Sequence, residues 1–134
     1  MQAALFWHVI SLGHVFLFDI KETDPARHRE YTGAGNEQII NNLAFLSESG
    51  ARVILRCPVI PGLNDREDHF KAIARLTNEY DGVEGAEIMP YHKLGVSKAA
   101  RMGLPPQETY EQQSDETVEG WKQIIREAGG KVLR

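Results

Sequence analysis

The sequence DIK at residues 19–21 places a carboxylate and an ammonium group two positions apart, at the end of an apolar stretch. On a β-strand, Asp19 and Lys21 would lie on the same face. Charged groups at the edge of a buried sheet lose hydration, and an ion pair alone often fails to recover that cost. A ligand that carries charges of both signs would recover more of it. The spacing therefore fits either a binding site for such a ligand or a structural ion pair.

Further polar side chains follow two other apolar stretches. Tyr91, His92 and Lys93 bring a phenol, an imidazole and an ammonium group together after one of them, and Arg56 lies near the end of the other. Taken alone, His92 is more simply interpreted as a structural histidine. Arg56 could equally be a surface cation whose stem covers apolar neighbours. Convergence of these residues at one edge of the fold would favour a functional site.

The elements that must position these residues alternate between strands and helices. HVFLFDIK is a short, nearly continuous apolar run, as expected of a strand that is covered on both faces. Two further strands are predicted in ARVILRCPVI and AEIMPY, with a short final strand in KVLR. Helical spacing and capping residues predict four helices. The first lies in TDPARHREYTG with Asp24 as its N-cap, and the second lies in NEQIINNLAFLSESG with Asn36 as its N-cap. The third begins after Asp65 as its N-cap, and the fourth lies in SDETVEGWKQIIREAGG. This alternation predicts an α/β fold with parallel strands, in which ligands bind beyond the carboxyl ends of the strands. The candidate residues are therefore expected to meet at one edge of the sheet.

Composition narrows the classes of function. The chain has 134 residues, 42% of them hydrophobic and 25% charged, which suits one globular domain. A net charge of −4 without a basic run argues against nucleic-acid binding. The N-terminal segment carries neither a signal-peptide pattern nor a membrane span, and one cysteine, Cys57, fits a reducing cytosol. The spacing of the histidines does not indicate a zinc site. We therefore expect a cytoplasmic protein without a membrane or nucleic-acid partner.

Three long segments of the sequence resemble the signatures of one family. They are DIKETDPARHREYTGAGNEQIINNL, RCPVIPGLND and PYHKLGVSKAARMG. They are similar to segments of glycyl-radical-enzyme activating enzymes, the pyruvate formate-lyase activating type within the radical S-adenosylmethionine (radical SAM) superfamily. The resemblance extends from His14 to the C-terminus, with the motifs in the same order and correctly separated. It implies a partial TIM-like (β/α) barrel, of which this chain supplies about three parallel strand-helix units.

The resemblance also implies a cofactor site. Asp19, Lys21 and His92 match positions that face S-adenosylmethionine in the family, and Arg56 matches an arginine at the same edge. The first three would position the cofactor, whereas Arg56 would hold either the cofactor or the substrate loop. S-adenosylmethionine is an amino-acid zwitterion joined through a sulfonium to a ribose and an adenine. None of these four residues is implied to be a general base, and no catalytic residue is predicted.

The activity implied by the resemblance belongs to a complete enzyme. Such an enzyme reductively cleaves S-adenosylmethionine, and the resulting 5′-deoxyadenosyl radical takes a hydrogen atom from a backbone glycine of its partner, a glycyl radical enzyme of the pyruvate formate-lyase type. The complete protein would also require a reductant such as flavodoxin or ferredoxin. The cofactor supplies the chemistry, and the protein supplies orientation and exclusion of water.

The sequence departs from the family at the iron-sulfur motif. The family holds a [4Fe-4S] cluster with Cys-x3-Cys-x2-Cys, whereas this chain contains only Cys57, in a different place. Residues 1–134 are therefore expected to form the C-terminal part of the barrel, with the N-terminal cluster-binding half absent. We expect the cluster only in the complete protein, weak or absent cofactor binding by this fragment, and no activity from it alone. An uncovered first strand would also favour a homodimer of the fragment.

Two other functions are compatible with the sequence. Lys21, at the end of a barrel strand, could act as the Schiff-base nucleophile of a lyase. Alternatively, the chain could be a non-catalytic α/β interaction module whose sheet edge pairs with another chain.

Overall fold

The computed structural model of the chain describes residues 14–90 and 113–133. The described elements follow the predicted alternation of strands and helices. In chain order they are β1 (Val15–Asp19), α1 (Pro25–Thr32), α2 (Glu37–Glu48), β2 (Arg52–Val59), α3 (Glu67–Glu79), β3 (Val83–Pro90) and α4 (Asp115–Glu127).

The three strands form one parallel sheet in the order β1-β2-β3. The predicted α/β class with three parallel strand-helix units is therefore confirmed. The predicted final strand in KVLR is reduced to a single parallel bridge between Ala86 and Val132, which lies beside β3. Two backbone hydrogen bonds support this bridge, from Ala86 N to Lys131 O and from Leu133 N to Ala86 O, both 2.8 Å long.

The two faces of the sheet differ in burial. On the first face, alternate residues of β2 such as Val53, Leu55 and Cys57 are completely buried. They share one apolar core with residues of the helices, Leu43 from α2, Phe70, Ile73, Ala74 and Leu76 from α3, and Val118, Trp121 and Ile125 from α4. The amphipathic spacing of these helices explains why they pack on the sheet.

The second face of the sheet is defined here by Leu17, Asp19, Ile54, Arg56 and Glu87. These residues are half-buried or exposed, and the side chain of Leu17 is 58% exposed. The prediction that the first strand is covered on both faces is therefore wrong at Leu17. Among the described residues, the helical side chains of the apolar core all pack against the first face.

The residues at the N-termini of the helices show that one predicted helix cap is wrong. Asp24 caps α1 as predicted, since its Oδ1 accepts hydrogen bonds from two backbone amides of the first turn. Asp65 does not cap α3, because that helix begins at Glu67 after Arg66. Instead, Asp65 Oδ1 accepts a hydrogen bond of 2.9 Å from the Gly62 amide and closes the preceding turn. No helix in the described parts of the chain has the length and apolar character needed to cross a membrane.

Among the described strands, β1 is an outer strand of the sheet, and its Leu17 side chain leads to a prediction about self-association. Leu17 is 58% exposed, and contact with a second copy of the chain would bury this apolar side chain. We expect sedimentation equilibrium to show a concentration-dependent homodimer, and we expect Leu17→Lys to weaken it. Phe45→Lys, at a residue of α2 that is 56% exposed, serves as the matched control. A monomer at high protein concentration would contradict this prediction.

Candidate functional site

The register of the strands brings three charged residues into one row across the sheet. Asp19 of β1 pairs with Arg56 of β2, and Arg56 pairs with Glu87 of β3. Paired residues of parallel strands project from the same face, and neighbouring strands lie about 4.8 Å apart. The row therefore alternates negative, positive and negative charge over about 10 Å of the second face.

Lys21 follows this row on the same face. The Ile20 amide still donates a hydrogen bond of 2.8 Å to the Arg56 carbonyl, which continues the β1-β2 pairing for one residue beyond Asp19. Ile20 and Glu22 are buried whereas Lys21 is only half-buried, so the alternation of a strand continues. The structure thus brings three of the sequence-predicted site residues, Asp19, Lys21 and Arg56, to one edge of the second face. The fourth, His92, lies outside the described residues.

A buried polar cluster, which the sequence analysis missed, lies directly after β1. We call Glu22, Asn36, Asn64, Arg66 and His69 the strand-end polar cluster. The guanidinium group of Arg66 donates two hydrogen bonds to the Glu22 carboxylate, from Nη1 to Oε1 at 2.8 Å and from Nη2 to Oε2 at 2.7 Å. The Glu22 side chain is 1% exposed and that of Arg66 is 19% exposed. This is a bidentate and largely buried ion pair.

The environment of Glu22 favours its charged form. Burial acts to raise the pKa of the carboxyl group, but hydrogen bonds from Arg66 and from the Asp24 amide, with the nearby positive charge, outweigh burial and lower the pKa. The same pair raises the pKa of Arg66. Glu22 and Arg66 therefore remain an ion pair over the physiological range of pH.

His69 packs against this ion pair as a neutral side chain. Burial lowers its pKa to about 4, although the nearby Glu22 carboxylate opposes this effect. Its Nδ1 lies 3.3 Å from the Thr23 amide and 2.9 Å from Thr23 Oγ1. Accepting from the Thr23 amide places the imidazole proton on Nε2, which has no hydrogen-bond partner within the described ranges. His69 thus joins the N-terminal part of α3 to the segment after β1.

Two asparagine side chains hold the backbone after β1. Asn64 Nδ2 donates to the Lys21 carbonyl at 2.9 Å and to the Pro58 carbonyl at 2.8 Å, while Asn64 Oδ1 accepts from the Ile60 amide at 2.8 Å. Asn36 was predicted to cap α2, but its side chain makes no capping hydrogen bond. It donates instead to the carbonyls of Thr23 at 3.0 Å and Glu22 at 3.4 Å.

One signal in the sequence could have revealed this cluster. The alternation that places Lys21 on the second face places Glu22 on the buried side. A buried carboxylate requires a positive partner. The sequence does not indicate which cation that is, because Arg66 lies 44 positions away.

The described residues contain no group of three or more histidine, cysteine and acidic side chains that could hold a metal ion. Cys57, the sole cysteine of the sequence, is completely buried on the first face, and burial raises the pKa of its thiol. A buried, protonated thiol is a poor metal ligand. These residues do not fit an iron-sulfur cluster.

Three parallel strands that alternate with helices are the arrangement of a partial TIM-like (β/α) barrel, and comparison with known proteins defines the fold further. The chain superposes on the crystal structure of a domain of pyruvate-formate lyase-activating enzyme from Bacteroides vulgatus with a TM-score of 0.71, at 22% identity, over 98% of this chain and 73% of that domain. This likeness concerns the fold. No protein-family model matches the chain.

The sequence relatives narrow the class. The chain is 40% identical over 92 residues to a choline trimethylamine-lyase activating enzyme from Oleidesulfovibrio alaskensis, covering 66% of this chain and 30% of the relative. It is 36% identical over 105 residues to a pyruvate formate-lyase-activating enzyme from Staphylococcus epidermidis, covering 78% of this chain and 42% of the relative. The homologues of this chain are therefore glycyl-radical-enzyme activating enzymes, and the chain spans less than half the length of these two.

Proposed function

We propose that this chain supplies the S-adenosylmethionine-binding part of a glycyl-radical-enzyme activating enzyme. The observation that carries the proposal is the charged row of Asp19, Arg56 and Glu87 on the second face, beside Lys21. In a barrel whose helices cover the first face, the second face lines the interior, where (β/α) barrels bind ligands at the carboxyl ends of their strands. Homology to activating enzymes supports this assignment.

The charges of the row suit S-adenosylmethionine. The cofactor carries an ammonium and a sulfonium group beside a carboxylate, so it has positive charges for Asp19 and a negative charge for Lys21 or Arg56. A flexible lysine provides a point charge, whereas an arginine can bind a carboxylate through two hydrogen bonds. His92 would complete the site. Reductive cleavage of the cofactor is chemistry that the cofactor and the cluster of the complete enzyme supply, and this chain binds and orients the cofactor.

The remainder of the proposed enzyme lies outside this chain. Residues 1–134 would form the C-terminal part, and the cysteines of the [4Fe-4S] cluster would come from an N-terminal part on the same or another polypeptide. The single buried cysteine and the coverage of 30% and 42% of the relatives support this division. The partner would be a glycyl radical enzyme, and the reductant would be a protein such as flavodoxin or ferredoxin.

Titration with S-adenosylmethionine, followed by two-dimensional NMR of the 15N-labelled chain, tests the cofactor site. Without an iron to anchor the methionine moiety, we expect weak binding in the millimolar range, with shifts concentrated at residues 19–22 and near Arg56 and Glu87. Asp19→Asn and Arg56→Gln should each remove these shifts. Arg52→Gln is the matched control, because Arg52 lies on the same face of β2 as Arg56. Arg52 is at the opposite end of the strand, where it forms an ion pair with Glu84.

Titration with a second ligand tests the contribution of the sulfonium charge. S-adenosylhomocysteine lacks the sulfonium charge, and we expect it to shift Asp19 less than S-adenosylmethionine does. Shifts that lie elsewhere, or that survive both Asp19→Asn and Arg56→Gln, would contradict the proposed site. Tight binding that survives both substitutions would contradict it as well.

A further inference from the structure

We propose that Asn64 is a positioning residue that sets the place of Lys21 at the cofactor site. This inference rests on the proposed function, in which Lys21 contacts S-adenosylmethionine. It starts from the hydrogen bond of 2.9 Å between Asn64 Nδ2 and the Lys21 carbonyl, which joins residues 43 positions apart.

Lys21 lies just beyond the backbone hydrogen bonds that join β1 to β2. The last backbone hydrogen bond from this segment to β2 is the one that the Ile20 amide donates to the Arg56 carbonyl. The Lys21 carbonyl follows it and is bound by the Asn64 side chain instead. Partly buried carbonyls require such a partner. A lysine stem is flexible, so its backbone is the part that the protein can fix.

Asn64 is well placed to fix this backbone because its side chain is held by two other hydrogen bonds. Its side chain is completely buried. Besides the Lys21 carbonyl, it binds the Pro58 carbonyl and the Ile60 amide, both at 2.8 Å. These two groups lie at the end of β2 and just after it. Asn64 therefore fixes the Lys21 carbonyl relative to the C-terminal end of β2.

The other members of the strand-end polar cluster act further along the chain. Asn36 binds the carbonyls of Glu22 and Thr23, and Arg66 binds the Glu22 side chain. Among the hydrogen bonds that the cluster makes within the described residues, only that of Asn64 reaches the Lys21 carbonyl. Loss of Asn64 should consequently release Lys21, whereas loss of Asn36 should release the segment beyond it. Asn36 is a matched control, since it is also a buried asparagine that binds two carbonyls.

NMR of the 15N- and 13C-labelled chain tests this proposal. Both Asn64→Ala and Asn36→Ala should lower stability towards urea. Only Asn64→Ala should shift the Lys21 carbonyl resonance and increase the fast motion of the Lys21-Glu22 peptide group. In the presence of S-adenosylmethionine, Asn64→Ala should also lose most of the ligand-induced shift of Lys21 while that of Asp19 remains.

The variant Asn64→Asp provides a readout that a purely structural role would not move. The carboxylate still accepts from the Ile60 amide but cannot donate to the Lys21 carbonyl, whereas its protonated form can donate one hydrogen bond. We therefore expect the Lys21 carbonyl resonance of Asn64→Asp to return towards its wild-type position on acidification, with no such change in wild type.

The outcomes separate this inference from the proposed function. If the cofactor shifts of the wild-type chain lie away from Asp19 and Arg56 but Asn64 variants release Lys21, the positioning role holds and the cofactor assignment fails. An unchanged Lys21 peptide group in a folded Asn64 variant would overturn the positioning role. Failure of both Asn64 variants to fold would also overturn it, because Asn64 would then be required for the fold as a whole.

Discussion

Replacement of Arg66 by alanine is expected to lower the free energy of unfolding by about 3–5 kcal/mol. The substitution leaves the Glu22 carboxylate, whose side chain is 1% exposed, without the guanidinium group that neutralises it. Urea denaturation monitored by circular dichroism measures the loss. Arg126→Ala is the matched control, because Arg126 forms its ion pair with Glu119 in an exposed position and such pairs contribute little.

The pH dependence of stability provides a second test of this ion pair. Because the folded-state pKa of Glu22 lies below its ordinary value of 4.5, the pair contributes stability that is present above pH 4.5 and is lost as the pH falls through the folded pKa. In Arg66→Ala, burial would raise the pKa of Glu22 instead. The difference in stability between wild type and Arg66→Ala should therefore narrow on acidification. A difference that stays constant with pH would contradict this account of Glu22.

His69 adds to the loss of stability in acid. Its folded-state pKa of about 4 lies below the ordinary value of 6.5, so the unfolded chain binds a proton that the folded chain excludes. This contribution is complete above pH 6.5 and declines as the pH falls towards 4. In His69→Gln, the stability between these two values should depend less steeply on pH than it does in wild type.

Replacement of Phe70 by alanine should destabilise the fold by about 3–5 kcal/mol. Phe70 is 1% exposed on α3, and its ring centroid lies 6.0 Å from that of Trp121 on α4. The substitution removes the side chain that joins these helices and leaves a cavity against the first face of the sheet. Urea denaturation with the same circular dichroism signal measures this change.

Phe45→Ala is the control for Phe70→Ala, because it removes the same side chain from α2 at a residue that is 56% exposed. We expect a much smaller loss of stability there. Similar losses for the two variants would mean that the packing of α3 against α4 does not dominate the core.

Local patterns were sufficient to predict the elements of the fold. The apolar run ARVILRCPVI predicted β2, and the alternation of strands and helices predicted the parallel sheet. The convergence of Asp19 and Arg56 followed from a general property of parallel strands, whose carboxyl ends lie at one edge. Such predictions need only the neighbours of each residue in the sequence.

Features that depend on distant partners were not predicted. Asn36 and Asp65 both carry side chains typical of helix caps, but their hydrogen bonds go to Thr23 and Gly62. The capping rule considers only the following turn and cannot identify a better acceptor or donor elsewhere. Glu87 also escaped notice as a member of the charged row, because its place beside Arg56 depends on the register of β3.

The order of the strands has a consequence for how this architecture can grow. Each strand lies beside the one that precedes it in the chain, and the edge of β3 is bridged by Val132. A strand-helix unit joined before β1 can therefore be placed next to β1 by one further right-handed crossover, without any existing strand changing neighbours. Such a sheet can gain strands at one end. Duplication or fusion of genes can therefore lengthen it while the register of Asp19 with Arg56 is preserved.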